Sequence, residues 1–319
     1  MKRIGILTSG GDAPGMNACI RAVVRSAVAR GHKVIGIQSG YQGFVDGKTI
    51  ELGLRDVGNI IQSGGTILKT SRCPEFMTNE GIKKGVETFK KEKLDALVVI
   101  GGNGSLTGAM KLRNAGVNVI GIPATIDNDL GYTDVTLGFD TAVNTVTNLL
   151  NNVRDTSNAH ERVSVVEVMG RHCGDIALFS GISAGADAII IPEVKTEIGK
   201  VCKKLLKSAE TGKLGSIVVI AEGCGKASDI AKEIETRTGL ESRAVVIGHL
   251  QRGGSPSMAD RLLASRLGVH AVDLIEQGVY GVAIGTRGGK VIADDIEKAL
   301  AVHNTFDIAT YEINNSISI

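Results

Sequence analysis

Apolar residues along the chain fall into short runs rich in Val and Ile that alternate with longer stretches of helical periodicity. The runs at 3–9 (RIGILTS), 33–37 (KVIGI), 95–101 (DALVVIG), 118–123 (NVIGIP), 163–169 (VSVVEVM), 188–193 (AIIIPE) and 216–223 (SIVVIAEG) are nearly continuous in apolar character, as strands buried on both faces are. This alternation predicts an α/β protein whose mostly parallel sheets are covered by helices on both faces. In the first helix, Cys19, Ile20, Val23, Val24 and Ala27 share one side and Arg21 and Arg25 the other; Asn17 is expected to cap it and Gly31 to end it. Further long helices are expected over residues 141–154 and 257–278. No linker marks a domain boundary, and the length of 319 residues places one near residue 138.

Composition narrows the function. Glycine is abundant at 42 residues and proline scarce at 5, so the glycines are placed turns and not a low-complexity linker. Aromatic residues make up 3% with no Trp, which leaves no base-stacking platform and argues against a nucleic-acid partner. The net charge of +2 is too balanced for a polyanion footprint and points to small anions instead. Cys19, Cys73, Cys173, Cys202 and Cys224 are scattered without a C-x-x-C pair, so no disulfide framework or zinc site is indicated, and a reducing cytoplasmic location is expected. With no signal peptide and no apolar stretch of about 18 residues, no membrane partner is expected.

Two strands end in glycine pairs that lead into helices, LTSGGDAPGMN at 7–17 and VVIGGNGSLTG at 98–108. Glycine admits a phosphate to the bare backbone, and the following helix N-terminus supplies the attraction. The first continues Met16-Asn17 where a Walker loop needs Lys-Ser/Thr, and the second is G-x-G-x-x-x-G, so neither matches a standard fingerprint; a tight strand-to-helix turn is the plain alternative. PATIDNDLGYTD at 123–134 carries Asp127 and Asp129 two residues apart. In an extended loop both project to one side, where one accepts a proton and the other holds a metal or its water; a turn that caps only its own backbone is the alternative. Positive groups come in bursts beside strands: Arg162, MGRHCGD at 169–175, Arg243, and GHLQRGGSP at 248–256 with His249 and Arg252. A sugar phosphate needs two or three such arginines, though each alone also reads as a solvated surface residue.

These segments, together with GGT before SRCPEF, GFDTA and AEG, occur in the order and spacing of the bacterial ATP-dependent 6-phosphofructokinases, which the chain resembles over essentially its whole length. The resemblance implies two Rossmann-like three-layer α/β domains in a homotetramer, with the active site in the cleft and partly completed by a neighbouring subunit. It assigns 1–138 and 251–301 to an ATP-binding domain, and 139–250 and 302–319 to a fructose 6-phosphate-binding domain. Gly11, Arg72, Cys73, Gly102, Asn103, Gly104 and Ser105 correspond to ATP-binding positions. Thr125, Ile126 and Asp127 correspond to contacts at the sugar's reacting hydroxyl, with Asp127 as general base; Arg72, Thr125 and Arg171 join it in the catalytic set. Met169, Gly170, Arg171, Glu222, His249 and Arg252 match sugar-phosphate contacts, with Arg162 and Arg243 reaching across from the adjacent subunit. Asp129 and Asn103 match positions near Mg²⁺, the implied cofactor. Arg21, Arg25, Arg154, Gly185, Asp187 and Lys213 match an effector pocket for ADP or phosphoenolpyruvate.

The departures bear on activity. Asn103 stands where the family has an aspartate, which implies weaker metal binding and reduced turnover. Gly104 and Ala124 are small where pyrophosphate-dependent relatives carry Asp and Lys, which favours ATP, although the ATP family usually has Gly at the position of Ala124. Leu54 and Thr211 replace basic effector residues and Asp187 a glutamate, so weakened phosphoenolpyruvate inhibition is expected. The alternatives are a catalytically weak paralogue that binds nucleotide and sugar phosphate as a regulatory subunit, and a pyrophosphate-dependent variant.

Overall fold

The Val- and Ile-rich runs form strands because a parallel ladder buries both faces and β-branched side chains pack well on it. The structure is a computed structural model that describes residues 1–318. The chain forms two units, one of Met1–Asp140 with Arg252–Asn304 and the other of Thr141–Gln251 with the residues from Thr305 onward.

The first unit begins β1 (Arg3–Thr8), α1 (Met16–Ala29), β2 (Lys33–Ile37), α2 (Gly40–Asp46), β3 (Thr49–Leu52), α3 (Asn79–Lys91), β4 (Ala96–Gly101), α4 (Asn103–Asn114) and β5 (Val119–Pro123). Next come α5 (Phe139–Ala159), β6 (Val163–Val168), α6 (Asp175–Ser183), β7 (Ala188–Ile190), α7 (Ile198–Glu210), β8 (Ser216–Ala221), α8 (Ala227–Thr238) and β9 (Ser242–Val246). The chain then returns to the first unit with α9 (Met258–Gln277), β10 (Val282–Arg287), β11 (Lys290–Asp295) and α10 (Ile296–Leu300), and α11 (Ile308–Ile317) belongs to the second.

In the first unit a seven-stranded sheet runs in the order β11-β10-β5-β4-β1-β2-β3. Its interior pairs are parallel, and only β3 and β11 at the two edges are antiparallel. Gly288 and Gly289, at φ of +57° and +74°, make the two-residue turn between β10 and β11, where both positions must be left-handed. Ile4, Ile6, Leu97, Val98, Val99 and Ile100 are fully buried. On one face α1 lies against α9, close enough that a Cβ at Gly268 would sit 2.7 Å from the Ala22 side chain. Ser257 caps α9 through the Asp260 N–H, and Gly278 at φ +73° ends it.

The predicted apolar side of α1 is buried, but its cap differs from expectation. Gly15, left-handed at φ +105°, precedes the helix, and Asn17 lies inside the first turn with its side chain bonded elsewhere. The run at 188–193 yields only a three-residue strand, because Pro192 and the residue before it leave the ladder. The helix expected over 141–154 is longer at both ends.

The second unit has a four-stranded, all-parallel sheet in the order β7-β8-β6-β9. Val163, Val165, Val218 and Ile220 pack with Leu205 of α7 and Ile234 of α8. Among the described residues no helix is long and apolar enough to cross a membrane.

Candidate functional site

In the first unit the chain proceeds from β1 outward to β2 and β3, then returns to the other side of β1 with β4. Loops leaving such a reversal point diverge, and a crevice opens at the carboxyl ends of the two strands. The two glycine pairs stand there. Gly10 is left-handed at φ +87°, and the carbonyl of Gly10 accepts a hydrogen bond from the Thr70 hydroxyl at 2.7 Å. After β4 the chain enters α4 with only Gly102 between, so the free N–H groups of that helix face the same crevice.

The crevice is a cavity of about 680 Å³ within the first unit. Of the residues singled out from sequence it brings together Gly11, Arg72, Cys73, Gly102, Asn103, Gly104, Ser105, Thr125, Asp127, Asp129 and Arg252. Ile126 is buried beside them in the core. A Cβ at Gly104 would meet nothing within 4 Å, so this wall is open. Ala124 lines the cavity at 1% exposure, its methyl already packed. Cys73 precedes a 3-10 turn over Pro74–Met77, and burial pushes its thiol up, which leaves it a neutral wall and not a thiolate.

Sequence patterning does not single out the aromatic side of this cavity. Tyr41 stacks on Phe76 with centroids 4.0 Å apart, and its hydroxyl donates to the Ser105 carbonyl at 2.6 Å, fixing the first turn of α4. Phe76 lies inside the SRCPEF block, but Tyr41 sits on a seven-residue helix too short for periodicity to mark.

Asp127 and Asp129 face the cavity through a turn and not through the extended loop expected of them. Asn128 between them is left-handed at φ +53°, and its Oδ1 accepts the Thr136 N–H at 3.1 Å. The Thr136 hydroxyl donates to the Thr125 carbonyl at 2.7 Å, and the Asp127 N–H donates to Thr125 Oγ1 at 3.2 Å. Burial raises the pKa of Asp127, the charge of Asp129 raises it further, and Arg252 opposes both. Arg252 donates to the Asp12 carbonyl at 3.0 Å and lies over Gly11, where a Cβ would be 2.4 Å from its Nη1. Two carboxylates and the Asn103 amide on one cavity are an oxygen-only donor set, which fits a hard divalent cation.

In the second unit, Met169, Gly170 and Arg171 follow β6, Glu222 follows β8, and His249 lies just beyond β9. These three strands are neighbours in the sheet, so the residues share its carboxyl edge. The Gly223 N–H donates to the Gly170 carbonyl at 3.1 Å, and the Met169 N–H donates to Gln251 Oε1 at 3.1 Å. Gly170 has φ +137°, and a Cβ there would lie 2.5 Å from the Cys173 carbonyl, so the turn requires glycine. Arg162 donates to the Thr156 hydroxyl at 3.1 Å, and Arg243 pairs with Glu241 at 2.8 Å.

Arg154 donates to the Gly185 carbonyl at 2.8 Å. Lys213 pairs with Asp187, which is 1% exposed and also accepts the Ile217 N–H at 2.9 Å. Arg21 and Arg25 lie on α1 of the first unit. Cys173, Asp175 and Glu193 form a further grouping, in which Glu193 accepts the N–H of Gly174, the residue before α6, at 2.7 Å.

A family model described as Phosphofructokinase matches residues 3–275. The chain is 53% identical over 319 residues to an ATP-dependent 6-phosphofructokinase of Alkaliphilus metalliredigens, with each chain covered in full. It is 54% identical over 319 residues to the ATP-dependent 6-phosphofructokinase of Clostridioides difficile, again end to end. Among solved structures, phosphofructokinase from Saccharomyces cerevisiae superposes with a TM-score of 0.92 at 31% identity over 99% of this chain, which spans 50% of the yeast chain.

Proposed function

The chain belongs to the phosphofructokinase family, and we infer from its site that it catalyses the ATP-dependent reaction: the γ-phosphoryl group of ATP passes to the 1-hydroxyl of fructose 6-phosphate, giving fructose 1,6-bisphosphate and ADP in glycolysis. The observation that carries this reading is the single cavity that holds both glycine turns, Arg72, Arg252 and an aspartate with a raised pKa. Phosphoryl transfer asks little covalent chemistry of a protein; catalysis comes from positioning and from neutralising charge.

In this assignment the first unit is the nucleotide domain. The N–H groups of the Gly10–Gly11 turn and of the first turn of α4 bind phosphate oxygens, and Arg72 neutralises charge on the transferring group. Asp127 accepts the proton of the sugar hydroxyl, and its raised pKa suits it to that task. Asp129 and Asn103 would hold the divalent cation, Mg²⁺, which supplies charge neutralisation on the nucleotide phosphates. Gly104 leaves room for a nucleoside where an aspartate side chain would intrude, which supports ATP over pyrophosphate.

The second unit is the sugar-phosphate domain, with Met169, Gly170, Arg171, Glu222 and His249 at the carboxyl edge of its sheet; Arg252, in the first unit, is a further sugar-phosphate contact in this assignment. Arg162 and Arg243 serve a neighbouring subunit of a homotetramer, and the enzyme acts in the cytoplasm. ADP and phosphoenolpyruvate bind through Arg21, Arg25, Arg154, Gly185, Asp187 and Lys213. Their effect is weak, because Asp187 is already engaged by Lys213 and Leu54 and Thr211 bring no charge.

The test is a coupled assay with ATP, Mg²⁺ and fructose 6-phosphate. Asp127→Asn is expected to lower kcat by about a thousandfold, the middle of the range for loss of a general base. The same substitution should raise Tm at neutral pH. Burial makes the native state hold the Asp127 proton more tightly than the unfolded chain does, so ionisation of this group weakens the fold as pH rises through its folded pKa. Parent-level turnover by Asp127→Asn, or equal rates with pyrophosphate in place of ATP, would overturn the assignment.

A further inference from the structure

Asn17, expected from sequence to cap α1, is 2% exposed and spends its amide on a distant loop. Its Nδ2 donates to the carbonyls of Ser63 at 3.2 Å and Gly64 at 3.0 Å, and its Oδ1 accepts the Ile67 N–H at 2.7 Å. Both donors and the carbonyl of one buried side chain thus fix the path of residues 63–67.

That loop presses on the segment that carries Arg252. A Cβ at Gly64 would lie 2.3 Å from the Gly254 carbonyl oxygen, so the two backbones are in direct contact. Beside this contact the hydroxyl of Ser255, the residue after Gly254, donates to the carbonyl of Gln62, two residues before Gly64, at 2.7 Å, and Arg261 holds Ser255 Oγ from the other side at 2.8 Å. Arg252, two residues before Gly254, reaches back to the Asp12 carbonyl across Gly11.

The far end of the loop, leading to Arg72, is held by other groups. Thr8 bonds the Thr66 hydroxyl at 2.9 Å and the Lys69 carbonyl at 3.1 Å. Thr70 bonds Gly10, and Ser71 bonds the Ser39 carbonyl at 3.0 Å. Displacing residues 63–65 therefore shifts the Arg252 side while strand β1 and the β2 end keep the Arg72 side in place.

We propose that Asn17 is a positioning residue for the sugar-phosphate side of the reaction: it sets the height of the loop over residues 63–67, and this loop, through Gly64 and Gln62, places the Arg252 guanidinium. The proposal rests on the assignment of Arg252 to fructose 6-phosphate. It separates two roles for one glycine-rich loop, whose N-terminal half serves the acceptor and whose C-terminal half serves the donor.

Three variants of the full chain disturb the relay at different points. Asn17→Asp keeps the acceptor and the size but turns a carboxylate toward the Ser63 and Gly64 carbonyls. Gly64→Ala drives a methyl against Gly254, and Ser255→Ala removes the second tie. A misplacement of about 1 Å at a reacting group costs up to about a hundredfold, so Asn17→Asp and Gly64→Ala are expected to raise KM for fructose 6-phosphate by about tenfold and Ser255→Ala by about threefold. KM for ATP should stay within about twofold in all three, a split that general destabilisation does not produce.

Arg252→Gln is the control for the underlying assignment. If it leaves KM for fructose 6-phosphate unchanged, the assignment of Arg252 fails. If it raises that KM while Gly64→Ala and Ser255→Ala leave it at the parent value, or raise both KM values together, the relay is overturned and the assignment stands. These two variants retain Asn17 and decide the matter on their own should Asn17→Asp not fold.

Discussion

The two glycine turns that follow β1 and β4 are neighbours in space and look alike in sequence, yet their glycines are needed for different reasons. After β1 the chain makes a long excursion, left-handed at Gly10 and Gly15, before α1 begins. Gly11 in this turn is pressed by Arg252, so its missing side chain is filled by another part of the protein. After β4 the chain turns directly into α4, none of its glycines is left-handed, and Gly104 faces open space. In the first turn the space of the missing Cβ is taken by a protein side chain, and in the second it is open. A glycine motif alone does not distinguish these cases; what lies where the Cβ would be does.

The strongest challenge to this distinction is Gly11→Ala. Only the flexible end of Arg252 need move to admit the methyl, so Tm should change little. Loss of the charge-assisted bond proposed between Arg252 and the sugar phosphate, about 2 kcal/mol, should lower kcat/KM by about thirtyfold. Parent-level kcat/KM would show that the seat of Arg252 over Gly11 has no function.

Asn103→Asp probes the second turn at its first helical position. The gross attraction of an added charge for a divalent cation is about 8 kcal/mol at ~4 Å and an effective dielectric of about 20, and repulsion from Asp127 and Asp129 offsets much of it. A rise in kcat of about tenfold at limiting Mg²⁺ is expected, with a small gain in Tm because an acid at a helix N-terminus stabilises by about 0.3–1 kcal/mol. Unchanged turnover and unchanged metal dependence would mean that the amide is an adequate ligand.

Gly104→Ala sharpens the contrast with Gly11. Alanine is favoured over glycine in a helix by up to about 1 kcal/mol, so this variant should be slightly more stable than the parent. Its KM for ATP should nevertheless rise by about fivefold, as a methyl crowds a close backbone contact worth about 1 kcal/mol. An unaffected KM for ATP would place the nucleotide elsewhere.

The smallest effect is a displaced pH limb. With Asp127 as the proposed general base, activity is expected to fall as pH drops through its raised pKa. Asp129→Asn removes a charge that raises that pKa, so the acid limb should move to lower pH. Movement upward would contradict the electrostatics of this turn.

Much of this architecture was legible from apolar runs, because buried parallel strands are continuous in hydrophobic character. Residues 33–37 are a strand over the span expected, and Ser257 and Gly278 flank α9 as capping residues do. The edge strands β9 and β11, and β10 beside the latter, were not legible. β9 is largely exposed, and β10 and β11 carry polar or charged residues that dilute their pattern, although the Gly288-Gly289 pair marks their turn. At the cavity, the resemblance supplied positions that composition could not, while Asn17 was misread because a residue at a helix start can look outward as easily as inward. Its partners are 46 to 50 residues away in sequence, and no local pattern records them.

The sheet of the first unit is assembled from two separated stretches of chain, and this bears on how the polypeptide leaves the ribosome. β5 gains its outer neighbour, β10, only when residues 282–287 have been made, long after α5 and residues 141–251 of the second unit have emerged. Until then β5 is an open, apolar sheet edge, the feature through which nascent chains pair wrongly with one another. Slow translation of residues 141–251 would prolong that exposure, so synonymous codon changes in this stretch should alter the soluble yield of a protein whose final sequence is unchanged.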